Sequence, residues 1–118
     1  MTLPTDADAP LLHYADALDR QDWPGLRALL DDGFRAEFVH DGRTLDADAF
    51  VAFQADYPGD WRVTVADHVR AGDRAVVRCV VTDGRETYGV ATFARVGVDG
   101  RILEVVEVWT DAARPAGS

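Results

Sequence analysis

The chain has 118 residues, 47% of them hydrophobic, and a formal charge of -9 from 21 acidic and 12 basic side chains. That length supports one domain with a real core, and the scattered basic residues, all arginine, exclude the clustered positive surface that non-specific nucleic-acid binding needs. No segment is apolar and long enough to span a bilayer, and the N-terminus carries no apolar signal core, so a cytoplasmic location is expected.

A single cysteine, Cys79, excludes an intramolecular disulfide. No Cys/His spacing suggests a metal and no Gly-rich loop suggests a phosphate, so neither metal nor cofactor is expected. Residues 1–9 lack periodicity and are expected to form a disordered tail. Pro10 suits the first position of a helix, after which Leu11, Tyr14, Ala15 and Leu18 recur at helical spacing. Asp22 is a good N-cap for a second helix, with Pro24 in its early turn and Leu26, Leu29 and Leu30 as its buried stripe. Asp31-Asp32-Gly33 is read as its end.

Phe34 to His40 predicts the first strand, with Phe34, Ala36, Phe38 and His40 on one face. Asp41-Gly42 is a turn, and a third helix capped by Asp46 presents Phe50, Phe53 and Tyr57 before Pro58-Gly59 stops it. The rest predicts a meander of strands at Trp61–Ala71, Arg74–Asp83, Glu86–Val96 and Arg101–Asp111, separated by Gly-Asp and Asp-Gly turns. In the first of these, Val63, Val65 and Val69 alternate with Arg62, Thr64 and His68. Residues 112–118 form a small-residue tail.

This order predicts one α+β domain over residues 10–111, with three helices packed in the concavity of a curved, mostly antiparallel sheet. The outer sheet face is then bare unless a second copy covers it. Ile102, Val106 and Val108, extended by Val76, Val80, Val90 and Thr92, give that face an apolar surface and predict a homodimer.

Candidate chemistry falls on a few side chains. Glu107, between Val105 and Trp109 on the inner face of the last strand, would have its pKa raised by desolvation and could carry protons; alternatively it pairs with Arg78 or Arg95. Tyr14 lies on the apolar stripe of the first helix, and its hydroxyl could donate to a ligand carbonyl or fill a core position with a backbone partner. His40 shares the parity of Phe38 and could orient or protonate a substrate at the mouth, or simply face solvent beside the turn. Phe38, Phe53, Tyr57, Trp61 and Trp109 could line a pocket for a flat apolar ligand or be plain core. Cys79, between Val77 and Val81, reads as a buried inert thiol, and His13 and His68 as surface residues.

Three stretches carry a resemblance to a known superfamily. Tyr14-Ala15-Asp16-Ala17-Leu18-Asp19-Arg20-Gln21-Asp22-Trp23-Pro24-Gly25-Leu26 is similar to the opening helix pair of the nuclear transport factor 2-like superfamily, Ala36-Glu37-Phe38-Val39-His40-Asp41 to its first strand, and Asp99 to Glu107 to its "D-G-K-I-V-E-H-W-D" ending. This cone-shaped α+β fold includes ketosteroid isomerases and SnoaL-like polyketide cyclases. The resemblance implies that Tyr14 corresponds to the oxyanion-donating tyrosine of the isomerases. Their catalytic base falls at Phe38 and their second oxyanion donor near Ala91, so steroid isomerisation is not implied. Glu107 falls where SnoaL-like proteins carry the aspartate of "H-W-D", and Val105 replaces the histidine. The implied function is binding of a small apolar or carbonyl-containing molecule. Isomerase, cyclase or lyase chemistry would rest on Glu107, Tyr14 and His40; the alternative is a non-catalytic binding or dimeric interaction module.

Overall fold

A computed structural model of the chain describes residues 8–110, with side chains from Pro10 onward. Helix α1 (Asp8–Arg20) begins two residues before Pro10, and the predicted tails lie otherwise outside the described residues. Leu11, Tyr14 and Ala15 turn inward and are buried. Gln21, at φ 57°, takes the left-handed conformation that ends α1, and the Asp22 N–H donates to the Ala17 carbonyl. Asp22 then caps α2 (Trp23–Leu29) by accepting from the Gly25 N–H at 3.0 Å.

Strand β1 (Leu30–Phe38) starts four residues earlier than predicted. Asp31-Asp32-Gly33 is not a helix end but an irregularity inside the strand, where the register slips between Leu30 and Arg35. The Gly33 N–H donates to the Asp31 carboxylate at 2.8 Å, a local turn that competes with the ladder. His40, expected at the strand end, lies in the turn that follows. A short strand, β2 (Arg43–Asp46), was not expected; it pairs antiparallel with β1 before Asp46 caps α3 (Ala47–Asp56) through the Ala49 N–H. Strands β3 (Arg62–Ala71), β4 (Arg74–Thr82), β5 (Thr87–Val96) and β6 (Ile102–Trp109) form the meander.

The six strands make one sheet in the order β2-β1-β6-β5-β4-β3, with β1 and β6 parallel and all other neighbours antiparallel. Helix α1 packs against β3 and β4, and α3 against β1. Leu11, Leu26, Leu30, Phe34, Phe50, Val77, Ile102 and Val105 close the core between helices and sheet. Each such side chain stabilises the fold by about 1.5–3 kcal/mol when taken out of water. No helix among the described residues is long and apolar enough to cross a membrane.

Two bulges correct the predicted faces. The register of β3 against β4 slips between Val65 and Asp67, so Val69 pairs with outward Val76 while His68 comes beside inward Val77. On β6, Arg95 opposes Glu104 but Val96 opposes Ile102, so Leu103 is the extra residue and Ile102 turns into the core. Val90 and Thr92 also face inward. The loop after β4 sets Thr82 opposite Thr87, which places Cys79 beside Val90 and Val77 beside Thr92. Ile102, Val90 and Thr92 are therefore not part of the outer face; Phe93, between Val76 and Val106, is.

Candidate functional site

Between the helices and the inner sheet face lies a cavity of about 410 Å³. That is within the size range of small-molecule sites, about 300–1,000 Å³. Its floor comes from β4, β5 and β6, where the inward parity places Cys79, Val81, Val90, Thr92, Glu107 and Trp109. One wall is α1, which contributes Tyr14, Ala15 and Leu18 at helical spacing. The other runs from Phe38 and His40 across Phe53 of α3 to Tyr57 and Trp61.

Among the described residues Glu107 is the only acid in this lining, and it is 2% exposed. Its Oε2 accepts from the Tyr14 hydroxyl at 2.5 Å and from the Thr92 hydroxyl at 3.3 Å. Its Oε1 accepts from the Trp109 indole N–H at 3.0 Å, an arrangement that follows from two residues of one strand sharing a face. Neither arginine considered from the sequence pairs with it: Arg78 opposes outward Ala91 and Asp67, and Arg95 pairs with Glu104. Burial pushes the Glu107 pKa up, while the three hydrogen bonds and the charge of His40 pull against that. Tyr14 is pushed well above its usual range by burial, then by the adjacent Glu107 charge.

All the candidate residues chosen from sequence line this one cavity: Glu107, Tyr14, His40, Phe38, Phe53, Tyr57, Trp61 and Trp109. They are not equally close. Tyr14 touches Glu107 directly, whereas His40 sits at the mouth, with its ring stacked on Phe38 at 6.0 Å and its Nε2 3.6 Å from the Asp41 carboxylate. The aromatic residues form a continuous collar: Phe38, Phe53, Tyr57, Trp61, Tyr88 and Trp109 each contact the next, at 5.3–6.4 Å between centroids. Gly59 anchors one side of it. At φ 113° it makes the turn, and a Cβ there would lie 2.6 Å from the Trp61 indole nitrogen, which donates to the Pro58 carbonyl.

Thr92, Tyr88 and Trp23 also line the cavity but were not chosen from sequence. The alternation Val90, Thr92, Ala94, Val96 carried the signal for Thr92, once the hairpin register is known. Ala91 faces outward, and its inward neighbours on β5 are Val90 and Thr92. Burial pushes the Cys79 thiol up to about 11, so it is a lining group and not a thiolate nucleophile. Among the described residues no cluster of His, Cys, Asp and Glu could hold a metal.

The fold is shared with several solved structures. A protein from Kribbella flavida, named as a candidate ketosteroid isomerase, superposes with a TM-score of 0.84 at 29% identity, over 95% of this chain and 83% of that one. A Burkholderia xenovorans protein of nuclear transport factor 2-like fold gives 0.83 at 12% identity, over 94% and 88%. A candidate polyketide cyclase from Streptomyces antibioticus gives 0.75 at 22% identity, over 87% and 91%. No curated protein matches the chain in sequence. The SnoaL-like domain family matches residues 11–105, nearly the whole cone from the first buried leucine of α1 to the middle of β6, and the chain belongs to that family.

Proposed function

We propose that the cavity binds a small, largely apolar carbonyl compound and that Glu107 moves a proton on the carbon beside the carbonyl, as in an isomerase, cyclase or lyase. The observation that carries this is the buried Glu107 carboxylate, hydrogen-bonded to Tyr14 at the floor of a cavity lined mostly by apolar and aromatic side chains. A carboxylate whose pKa is raised by desolvation is matched to proton transfer nearer neutral pH.

In the mechanism, Glu107 takes the proton from the carbon, the C–H electron pair becomes the new C=C bond, and the π pair of the carbonyl moves onto its oxygen. The Tyr14 hydroxyl turns from Glu107 to that oxygen and stabilises the enolate. Losing the Tyr14 hydrogen bond removes a group that holds the Glu107 pKa down, so the base strengthens as the oxyanion donor is recruited. The proton then returns from Glu107 to another carbon or to the departing group. His40, which in its protonated form favours the ionised Glu107, assists from the mouth.

The test is exchange of α-protons for deuterium in a panel of enolisable ketones and aldehydes, followed by NMR. Exchange should fall by about 10²–10⁴-fold in Glu107→Gln. Exchange that is unchanged in the variant overturns the role of Glu107. A second reading, ligand binding without catalysis, is favoured by one feature: both Glu107 oxygens are already engaged by Tyr14, Thr92 and Trp109. Saturable binding with no exchange above the solution rate selects it. We also propose that two copies associate through the outer sheet face, whose apolar residues are Val69, Val76, Val80, Phe93, Val106 and Val108.

A further inference from the structure

We propose that the cavity selects an apolar organic cation, a tertiary or quaternary ammonium centre on a hydrocarbon or aromatic frame, seated with its charge toward Glu107. This rests on reading the cavity as a ligand site and is independent of proton transfer.

Three observations converge on it. The first is a missing charge. Buried carboxylates are ordinarily matched by a cation or a metal. Glu107 is buried, yet its partners Tyr14, Thr92 and Trp109 are all neutral donors. Among the described residues no arginine pairs with it, and the chain has no lysine. A bound cation would supply the charge that the described residues do not.

The second is the sign of the lining. Among the described residues no arginine lines the cavity, and the chain has no lysine, so an anionic ligand would meet Glu107 without a counter-charge from them. Among the described residues His40 is the one lining side chain that can become positive, and it lies at the mouth, 3.6 Å from Asp41, which also pairs with Arg43 at 2.9 Å.

The third is the aromatic content. All three tryptophans and all three tyrosines of the chain line this cavity, joined by Phe38 and Phe53. Ring faces attract cations, tryptophan most strongly. The indole N–H groups of Trp61 and Trp109 are committed to Pro58 and Glu107, so neither offers an open donor to a ligand. The rim already seats one cation in this manner: the Arg43 guanidinium lies 5.5 Å from the Phe38 ring centroid and 4.9 Å from that of Phe53.

The indole N–H resonances of Trp23, Trp61 and Trp109 report occupancy, because all three side chains line the cavity. The wild-type chain is titrated with benzyltrimethylammonium, with its uncharged isostere neopentylbenzene, and with phenylacetate. The cation should bind at least about tenfold more tightly than the isostere, as expected for a desolvated cation on aromatic faces beside a carboxylate, and phenylacetate most weakly. Glu107→Gln should erase the preference while still binding neopentylbenzene, which also shows that the variant is folded. The wild-type comparison decides without the variant. Equal or tighter binding of neopentylbenzene, or of phenylacetate, overturns the cation proposal and leaves the ligand cavity standing. No response to any of the three probes overturns both.

Discussion

Glu107 is the residue on which structure and proposed chemistry meet, and its hydrogen bonds predict how it tolerates change. In Glu107→Gln the amide oxygen can keep the Trp109 N–H, while the amide NH₂ can donate to the Tyr14 and Thr92 hydroxyls, which rotate to accept. Stability at pH 7 should therefore stay within about 1 kcal/mol of wild type or rise, read by urea melts. The pH response should change with it. Because the folded pKa of Glu107 is raised above the ordinary 4.5, stability from its neutral form is fully present below that value and is lost as pH rises through the folded pKa. The difference between wild type and Glu107→Gln isolates this from Asp19, Asp41 and Asp83, whose lowered pKa values give the opposite slope. A Glu107 curve with stability rising toward neutral pH would show a stabilised carboxylate instead. Tyr14→Phe removes one hydrogen bond that lowers the Glu107 pKa. Carboxyl NMR should then find Glu107 titrating at higher pH, with a stability loss of about 1 kcal/mol. Glu107, Tyr14 and the aromatic lining were legible from parity and helical spacing alone. Their mutual contact was not, because it joins α1 to β6 across 93 residues and depends on how the sheet curls.

At the scale of elements, the three helices and the four meander strands follow from capping aspartates, apolar spacing and Asp-Gly turns. What the pattern could not show is where alternation breaks. A bulge adds one residue to one strand, and only the partner strand reveals it. That is why Ile102 and Val69 changed faces, while β2 escaped because Arg43-Thr44-Leu45-Asp46 is too short and polar to carry a strand signal. A polar contact ties α1 to the sheet at its far edge. The Asp19 carboxylate at the end of α1 accepts from the Val63 N–H at 2.8 Å and from Arg62 Nε and a terminal guanidinium nitrogen at 2.9 and 3.1 Å. Asp19→Ala leaves the part-buried Val63 N–H without this acceptor and frees the start of β3, a cost of about 1–2 kcal/mol in melts. Its pKa is lowered chiefly by Arg62, so the stability it gives is present above the ordinary 3.8 and is lost as pH falls through the folded value. Amide exchange at Val63 should quicken in the variant more than at Val105. Equal changes at both sites would mean that Asp19 acts on global stability and not on this junction.

For the whole molecule, the outer sheet face decides whether the cone works alone. The register aligns Val69, Val76, Phe93 and Val106 in one row across β3, β4, β5 and β6, with Val108 in the next outward row beside Ala91 and Arg78, and Val80 in the row beyond that. Phe93 is 40% exposed and Val69 58%, and the helices cover only the opposite face. A parallel row carries Arg35, Glu104, Arg95 and Arg74, where neighbouring charges of both signs can set the orientation of a facing copy. A twofold axis through this surface would bury each apolar row against its symmetry mate, since the same patch serves both subunits. Against it stands the charge of -9 on each chain, a repulsion that salt screens over about 8 Å at physiological ionic strength. Association should therefore strengthen from low to moderate salt, as hydrophobic contact outlasts the screened repulsion. Light scattering at micromolar concentration should give twice the 12.9 kDa chain mass. Phe93→Arg, at the centre of the row and outside the core, should return the mass to one chain without lowering the melting temperature of the monomer. A wild-type mass of one chain at every salt concentration would show that the face is left to solvent, because the variant would then have nothing to split.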